Sequence, residues 1–189
     1  MKRSRFIILS IAITLVSIAW MSFTPLIFLS AEDTPKISAP HPGFPAPAFK
    51  LETLSGDSIS LEDFKGQTVL IFFWASWCSV CKRTMPGLQS VYEEFHEQGF
   101  EILAINSTFQ DTFSSAVSYY ESQKYTFPFL IDLDGKVTQD YQVRALPTSV
   151  LVNSDGIVVD IVIGAGLSEA YLRSQIRELL SVIELSEVN

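Results

Sequence analysis

Val69-Leu70-Ile71-Phe72-Phe73-Trp74 is an unbroken apolar run, and shortly after it come two cysteines spaced three residues apart, Cys78 and Cys81. A strand of this composition has no polar face, so it belongs inside a sheet covered on both sides. The pattern then changes. Met85, Leu88, Val91, Tyr92 and Phe95 recur with helical spacing until Gly99 ends the run. The cysteines therefore stand where a buried strand hands over to a helix.

The remaining signals complete an α/β layout. Phe49–Leu54 and Ser58–Leu61 alternate in polarity around Ser55-Gly56-Asp57, which predicts a hairpin. Glu62–Lys65 reads as a short turn, Phe100–Asn106 as a second buried strand, and Phe113–Tyr125 as a helix with Asp111 as its N-cap. Phe127–Ile131 suggests a short strand before the turn Asp132–Gly135, and Val137–Tyr141 a short helix. Ser149–Asn153 and Ile157–Ile163 flank Ser154-Asp155-Gly156 as a second hairpin. A last helix, capped by Ser168, turns Leu172, Ile176, Leu179 and Leu180 inward. Buried strands separated by helices imply a sheet sandwiched between helices, an arrangement that by itself names no function.

The N-terminal part follows other rules. Residues 1–5 form a basic tip, and from Phe6 to Ala31 no charged residue occurs. A membrane-spanning helix needs roughly 20 apolar residues, so 6–31 reads as a signal-anchor. Lys2, Arg3 and Arg5 precede it and Glu32 and Asp33 follow, which puts the tip in the cytoplasm and the rest on the outer face of a cell membrane. A cleaved signal peptide is the competing reading, but its apolar core is usually shorter, and Leu29 is a poor residue ahead of a cleavage site. Residues 32–48 hold five prolines and Gly43, which predicts a stiff tether, with the folded domain over 49–189.

Of 189 residues, 48% are hydrophobic, enough for a packed core, and the net charge is −8 with no cluster of Lys and Arg. Nucleic acid is thereby excluded as a partner. A structural zinc site needs four ligands, and besides the one cysteine pair the chain has only His41, in the proline-rich tether, and His96, on a predicted polar helix face, so no metal and no cofactor are expected. A purely structural disulfide remains open, although it would normally close a longer loop. The more informative reading is redox. A cysteine at a helix start meets unpaired N–H groups and the positive end of the dipole, both of which favour thiolate, and a second cysteine one turn on can resolve a mixed disulfide.

Phe73-Trp74-Ala75-Ser76-Trp77-Cys78-Ser79-Val80-Cys81-Lys82, followed by Pro86, resembles the thioredoxin active-site signature. Residues 44–184 are more closely similar to the TlpA/ResA branch of extracytoplasmic thioredoxins, of the AhpC/TSA–redoxin type. Carrying that likeness are Phe44-Pro45-Ala46-Pro47-Ala48-Phe49, the insert-like segment 124–143, and Ala145-Leu146-Pro147-Thr148 through Gly156. The resemblance implies a thioredoxin-like fold, a central mixed sheet flanked by helices with an N-terminal β-hairpin extension. It also implies that Pro147 is a cis-proline opposite the cysteines and that the Leu146 backbone pairs with an extended substrate. Trp77 would then be part of the substrate rim, Trp74 its apolar floor, Pro86 a kink in the active-site helix and Gly164 a small residue near the site. Two departures stand out. Phe72 and Thr84 occupy places where members of the family carry carboxylates, so the proton acceptor for Cys81 has to be water, Thr84 or another group.

The function implied is a protein-disulfide oxidoreductase reducing disulfides in exported proteins. Apocytochrome c during cytochrome c biogenesis is one candidate substrate, and a membrane thiol carrier of the CcdA/DsbD type the electron donor. The soluble domain is expected to be monomeric. A disulfide oxidase or isomerase is the alternative direction, and a thiol-based copper-delivery module the alternative of another class. Against copper, no histidine lies after His96. Against a peroxidase, Ala75 and Ile71 stand where the peroxidatic pattern has Thr and Pro.

Overall fold

The computed structural model describes residues 38–187; the basic tip, the expected anchor and the first part of the expected tether lie outside them. Seven strands form one sheet: β1 (Lys50–Thr53), β2 (Ser58–Ser60), β3 (Thr68–Trp74), β4 (Phe100–Asn106), β5 (Phe129–Ile131), β6 (Thr148–Val152) and β7 (Val158–Ile163). Four helices accompany them: α1 (Ser79–Phe95), α2 (Phe113–Ser122), α3 (Lys136–Asp140) and α4 (Glu169–Glu187). The strand order is β2-β1-β5-β4-β3-β6-β7. β3 runs parallel to β4 and β4 to β5, while β6 lies antiparallel to β3 and the two hairpins are antiparallel. This is the thioredoxin-like α/β arrangement that the resemblance implies. Among the described residues no helix is long and apolar enough to cross a membrane.

Every residue of β3 and of β4 is buried, as strands flanked on both sides must be. Alternate residues feed two cores. Leu70, Phe72 and Trp74 pack with Met85, Leu88, Tyr92 and Phe95 of α1, Ala116 of α2 and Leu172 and Ile176 of α4. Val69, Ile71 and Phe73 pack on the other face with Phe49, Val150, Val158 and the α3 residues around Val137 and Tyr141. Burying a side chain of this size contributes about 1.5–3 kcal/mol, so the two cores fix which end of β3 faces outward.

The structure corrects two boundaries. The stretch expected as a tether joins the domain well before Phe49. Gly43 N–H donates to the Val158 carbonyl at 2.8 Å, Val158 N–H to Phe44 at 2.9 Å and Ala46 N–H to Gly156 at 2.9 Å. Pro47 is buried, its carbonyl taking the Tyr141 hydroxyl at 2.8 Å. The exposed edge of β7 offers unpaired backbone groups, and an extended proline-rich chain is well shaped to cover it. The second correction concerns α2, which ends at Ser122 and has Thr112 instead of Asp111 at its N-cap position, with no side-chain capping bond. Tyr125 leaves the helix because its ring stacks on Phe127, with centroids 5.2 Å apart.

Candidate active site

The redox pair lies at the carboxyl ends of the parallel strands, where β3 turns into α1. Cys78 is the N-cap of α1, with extended backbone angles, and its Sγ accepts the Cys81 N–H at 3.1 Å. The two sulfurs are joined as a disulfide with S–S 2.06 Å and Cα–Cα 5.3 Å. Cys81 is 0% exposed and Cys78 5%, so only the first presents any surface to a reactant. The helix N–H groups around Cys78 stabilise a thiolate there once the bond is reduced.

Pro147 follows a cis Leu146–Pro147 peptide at the start of β6. Register places it by the cysteines, since Thr148 pairs with Phe73 just before β3 runs into the active-site turn. Leu146 packs against the core cluster that contains both cysteines, and its backbone forms no hydrogen bond to the described residues. Trp77 is 60% exposed, whereas Trp74 is completely buried against Tyr119 and Phe129. Thus Trp77 forms a rim and Trp74 lies beneath the site. Pro86 lies inside α1.

Thr84 is the less obvious case. Its hydroxyl donates to the Val80 carbonyl at 3.1 Å, one turn back in the same helix. Phe72 is wholly buried in the core. The nearest candidates for a replacement carboxylate do not reach the role. Glu101 is buried, and desolvation pushes its carboxyl up, but it pairs in register with Val69 at the opposite end of β3 from Trp74. At about 3.3 Å per residue, that is roughly 16 Å from the cysteine end of the strand. Asp111 is close to the active-site turn yet fully engaged. It accepts the Ser76 N–H at 2.5 Å, the Ser76 hydroxyl at 2.6 Å, Asn106 Nδ2 at 3.0 Å and the Thr112 N–H at 2.8 Å. Burial opposes its charge, but the hydrogen bonds from Ser76, Asn106 and Thr112 prevail and hold the carboxyl below its usual range. A carboxylate so held is a poor proton acceptor. Neither of these two carboxylates is placed to take the Cys81 proton.

Asp111 is the residue that sequence reasoning misplaced: beside Thr112 it has the look of a local cap, while its main partner lies far back at Ser76. Asp132 is another. It is 0% exposed and accepts from the Val137 N–H, the Thr138 N–H and the Thr138 hydroxyl, so it caps α3 from a distance. Among the described residues no group of three or more His, Cys, Asp or Glu side chains is placed to hold a metal ion.

Comparison with known proteins agrees with this geometry. Residues 42–161 match the model of the AhpC/TSA family. The chain is 31% identical over 191 aligned positions to the thiol-disulfide oxidoreductase ResA of Bacillus subtilis, covering 100% of this chain and 99% of that one. Among solved structures, a provisional DsbE-type thiol:disulfide interchange protein from Chlorobium tepidum superposes with TM-score 0.69 and 28% identity, over 74% of this chain and 98% of that one. StoA from Bacillus subtilis superposes with TM-score 0.59 and 29% identity, over 68% and 95%.

Proposed function

The chain belongs to the AhpC/TSA family, in its TlpA/ResA-like branch, and from that premise we propose that it is held at the outer face of a cell membrane and reduces disulfides in exported proteins. The broader activity is protein thiol–disulfide oxidoreduction. The observation that carries the reading is the pairing of a barely exposed Cys78 at the helix N-terminus with a sealed Cys81 one turn on.

In the reductive direction the Cys78 thiolate attacks one sulfur of a substrate disulfide. The substrate S–S bond breaks, a mixed disulfide forms, and the departing substrate thiolate takes a proton from water. Cys81 then loses its proton to solvent and attacks Cys78 Sγ. The intramolecular disulfide forms as the second substrate thiolate leaves and is protonated. Two electrons pass from enzyme to substrate. A membrane thiol carrier of the CcdA/DsbD type returns them, because the space outside the cytoplasm lacks a thiol-reducing pool. The Leu146 backbone is the edge on which an extended substrate segment lies, in the manner of strand addition, with Trp77 at its side. The Cys-x-x-Cys-His segment of apocytochrome c is a substrate of the right kind, since its two sulfurs are close in sequence and lie in an unfolded chain.

Direction is tested by measuring the reduction potential of the full chain. The account expects a value nearer the about −270 mV of thioredoxin than the about −120 mV of a strong oxidant such as DsbA. A value at the oxidising end, with rapid oxidation of a reduced peptide, would assign the protein to disulfide formation instead. The anchor is tested by extracting membranes with alkaline carbonate: a retained helix keeps the chain in the pellet.

A further inference from the structure

The turn that carries Cys78 is fastened to a second loop, and the joint is specific. Ser107 N–H donates to the Trp74 carbonyl at 3.0 Å. Ser76 gives both its N–H and its hydroxyl to Asp111. The Trp77 indole N–H donates to the Gln110 carbonyl at 2.8 Å. Four hydrogen bonds therefore join residues 74–77 to 107–111, with Asn106 and Thr112 completing the shell of the Asp111 carboxylate.

The outer side of this piece is unexpectedly apolar. Trp77 is 60% exposed, Phe109 44% and Phe113 48%. Leu133, 68% exposed, adds to them from the loop after β5. Phe109 ties that loop in, because its ring occupies the space a side chain at Gly135 would need. Strand order sets the loops that carry these residues side by side after the carboxyl ends of β3, β4 and β5, on the side of β3 away from β6 and Pro147. Clustered exposed aromatics beside a reacting centre mark a contact surface.

We propose that these two fastened loops are a docking plate for the apolar side chains that flank the disulfide of a partner protein, and that Asp111 is the positioning residue that holds the plate together. The proposal rests on Cys78 being the attacking sulfur. A protein is the occupant because any disulfide brought to Cys78 carries its neighbouring residues across Trp77. The chain's net charge of −8 disfavours an anionic lipid surface in that place.

The test compares a protein disulfide with a small one that has no apolar flanks. The full chain in detergent is assayed for dithiothreitol-driven reduction of insulin and for reaction of its reduced form with glutathione disulfide. Two variants are used: Asp111→Ala, and the double variant Phe109→Ser/Phe113→Ser, which leaves the hydrogen bonds made by Ser76, Trp77, Ser107 and Asp111 in place. Both are expected to raise KM for insulin about tenfold while kcat and the glutathione disulfide rate stay within about twofold, tenfold corresponding to one 1.4 kcal/mol contact set. Equal losses on both substrates would show that the loops serve the sulfur chemistry and overturn the plate. An unchanged KM in the double variant would do the same. If the unsubstituted chain reduces neither, the redox reading itself falls.

Discussion

The Pro147 carbonyl accepts the Gly164 backbone N–H at 2.7 Å, joining the strand entry beside the cysteines to the turn that follows β7. Gly164 makes this bond at φ +76°, in the left-handed region, with open space where a side chain would begin. Gly164→Ala therefore meets no clash and acts through backbone torsion alone, a cost of about 1 kcal/mol. The expected outcome is a modest fall in the denaturation midpoint with a clear rise in KM for a protein disulfide, as relief of the torsion draws the residue 164 N–H away from the Pro147 carbonyl. A midpoint shift with KM unaltered would separate this turn from substrate binding.

Tyr141→Phe tests whether the proline-rich segment belongs to the domain. The Tyr141 hydroxyl is buried and donates to the Pro47 carbonyl. Removing it leaves a buried acceptor unpaired, at a cost of about 1–2 kcal/mol. Urea denaturation of wild type and variant measures it. An unaltered midpoint would mean that residues 39–47 lie on the domain without stabilising it.

The carboxyl of Glu101 gives a pH signature. Burial raises it above the ordinary carboxylate range, and the Ile102 N–H, His96 and the Tyr92 hydroxyl offset this only in part. A folded-state value above the unfolded one means that the folded protein binds the proton more readily, so stability is lost as pH rises through that interval. Glu101→Gln removes the titration. The variant is expected to melt higher than wild type at neutral pH, with the gap narrowing toward pH 4. A gap independent of pH would show that Glu101 is charged in the fold without penalty.

Thr84→Glu restores a carboxylate where the family often has one. Thr84 borders a cavity of about 320 Å³ together with Val80, Arg83 and Leu88, so a longer side chain has room. If solvent is the only base for Cys81, the variant resolves mixed disulfides faster at pH 6, on the order of tenfold, with the difference vanishing in alkali. Stopped-flow tryptophan fluorescence measures the step. Equal rates at pH 6 would mean that a base is already present.

The strands were legible because burial on both faces leaves a mark in composition. Val69–Trp74 and Phe100–Asn106 can be read without knowing what covers them. The cysteine pair was legible for a similar reason, being a local pattern at a strand-to-helix turn. Contacts between distant positions leave no such mark. Asp111 reads as a helix cap until Ser76 is found within hydrogen-bonding distance, and Pro47 reads as tether until Tyr141 reaches it. Proline content reports stiffness, not whether the stiff segment lies against anything.

The central claim is that Cys78 attacks and Cys81 resolves, and covalent trapping tests it most directly. Cells expressing the full chain as Cys81→Ser or Cys78→Ser are quenched in acid, alkylated and run on non-reducing gels. The account predicts mixed-disulfide adducts with Cys81→Ser that disappear on reduction, and none with Cys78→Ser. Equal adducts from both variants, or adducts from Cys78→Ser alone, would contradict it.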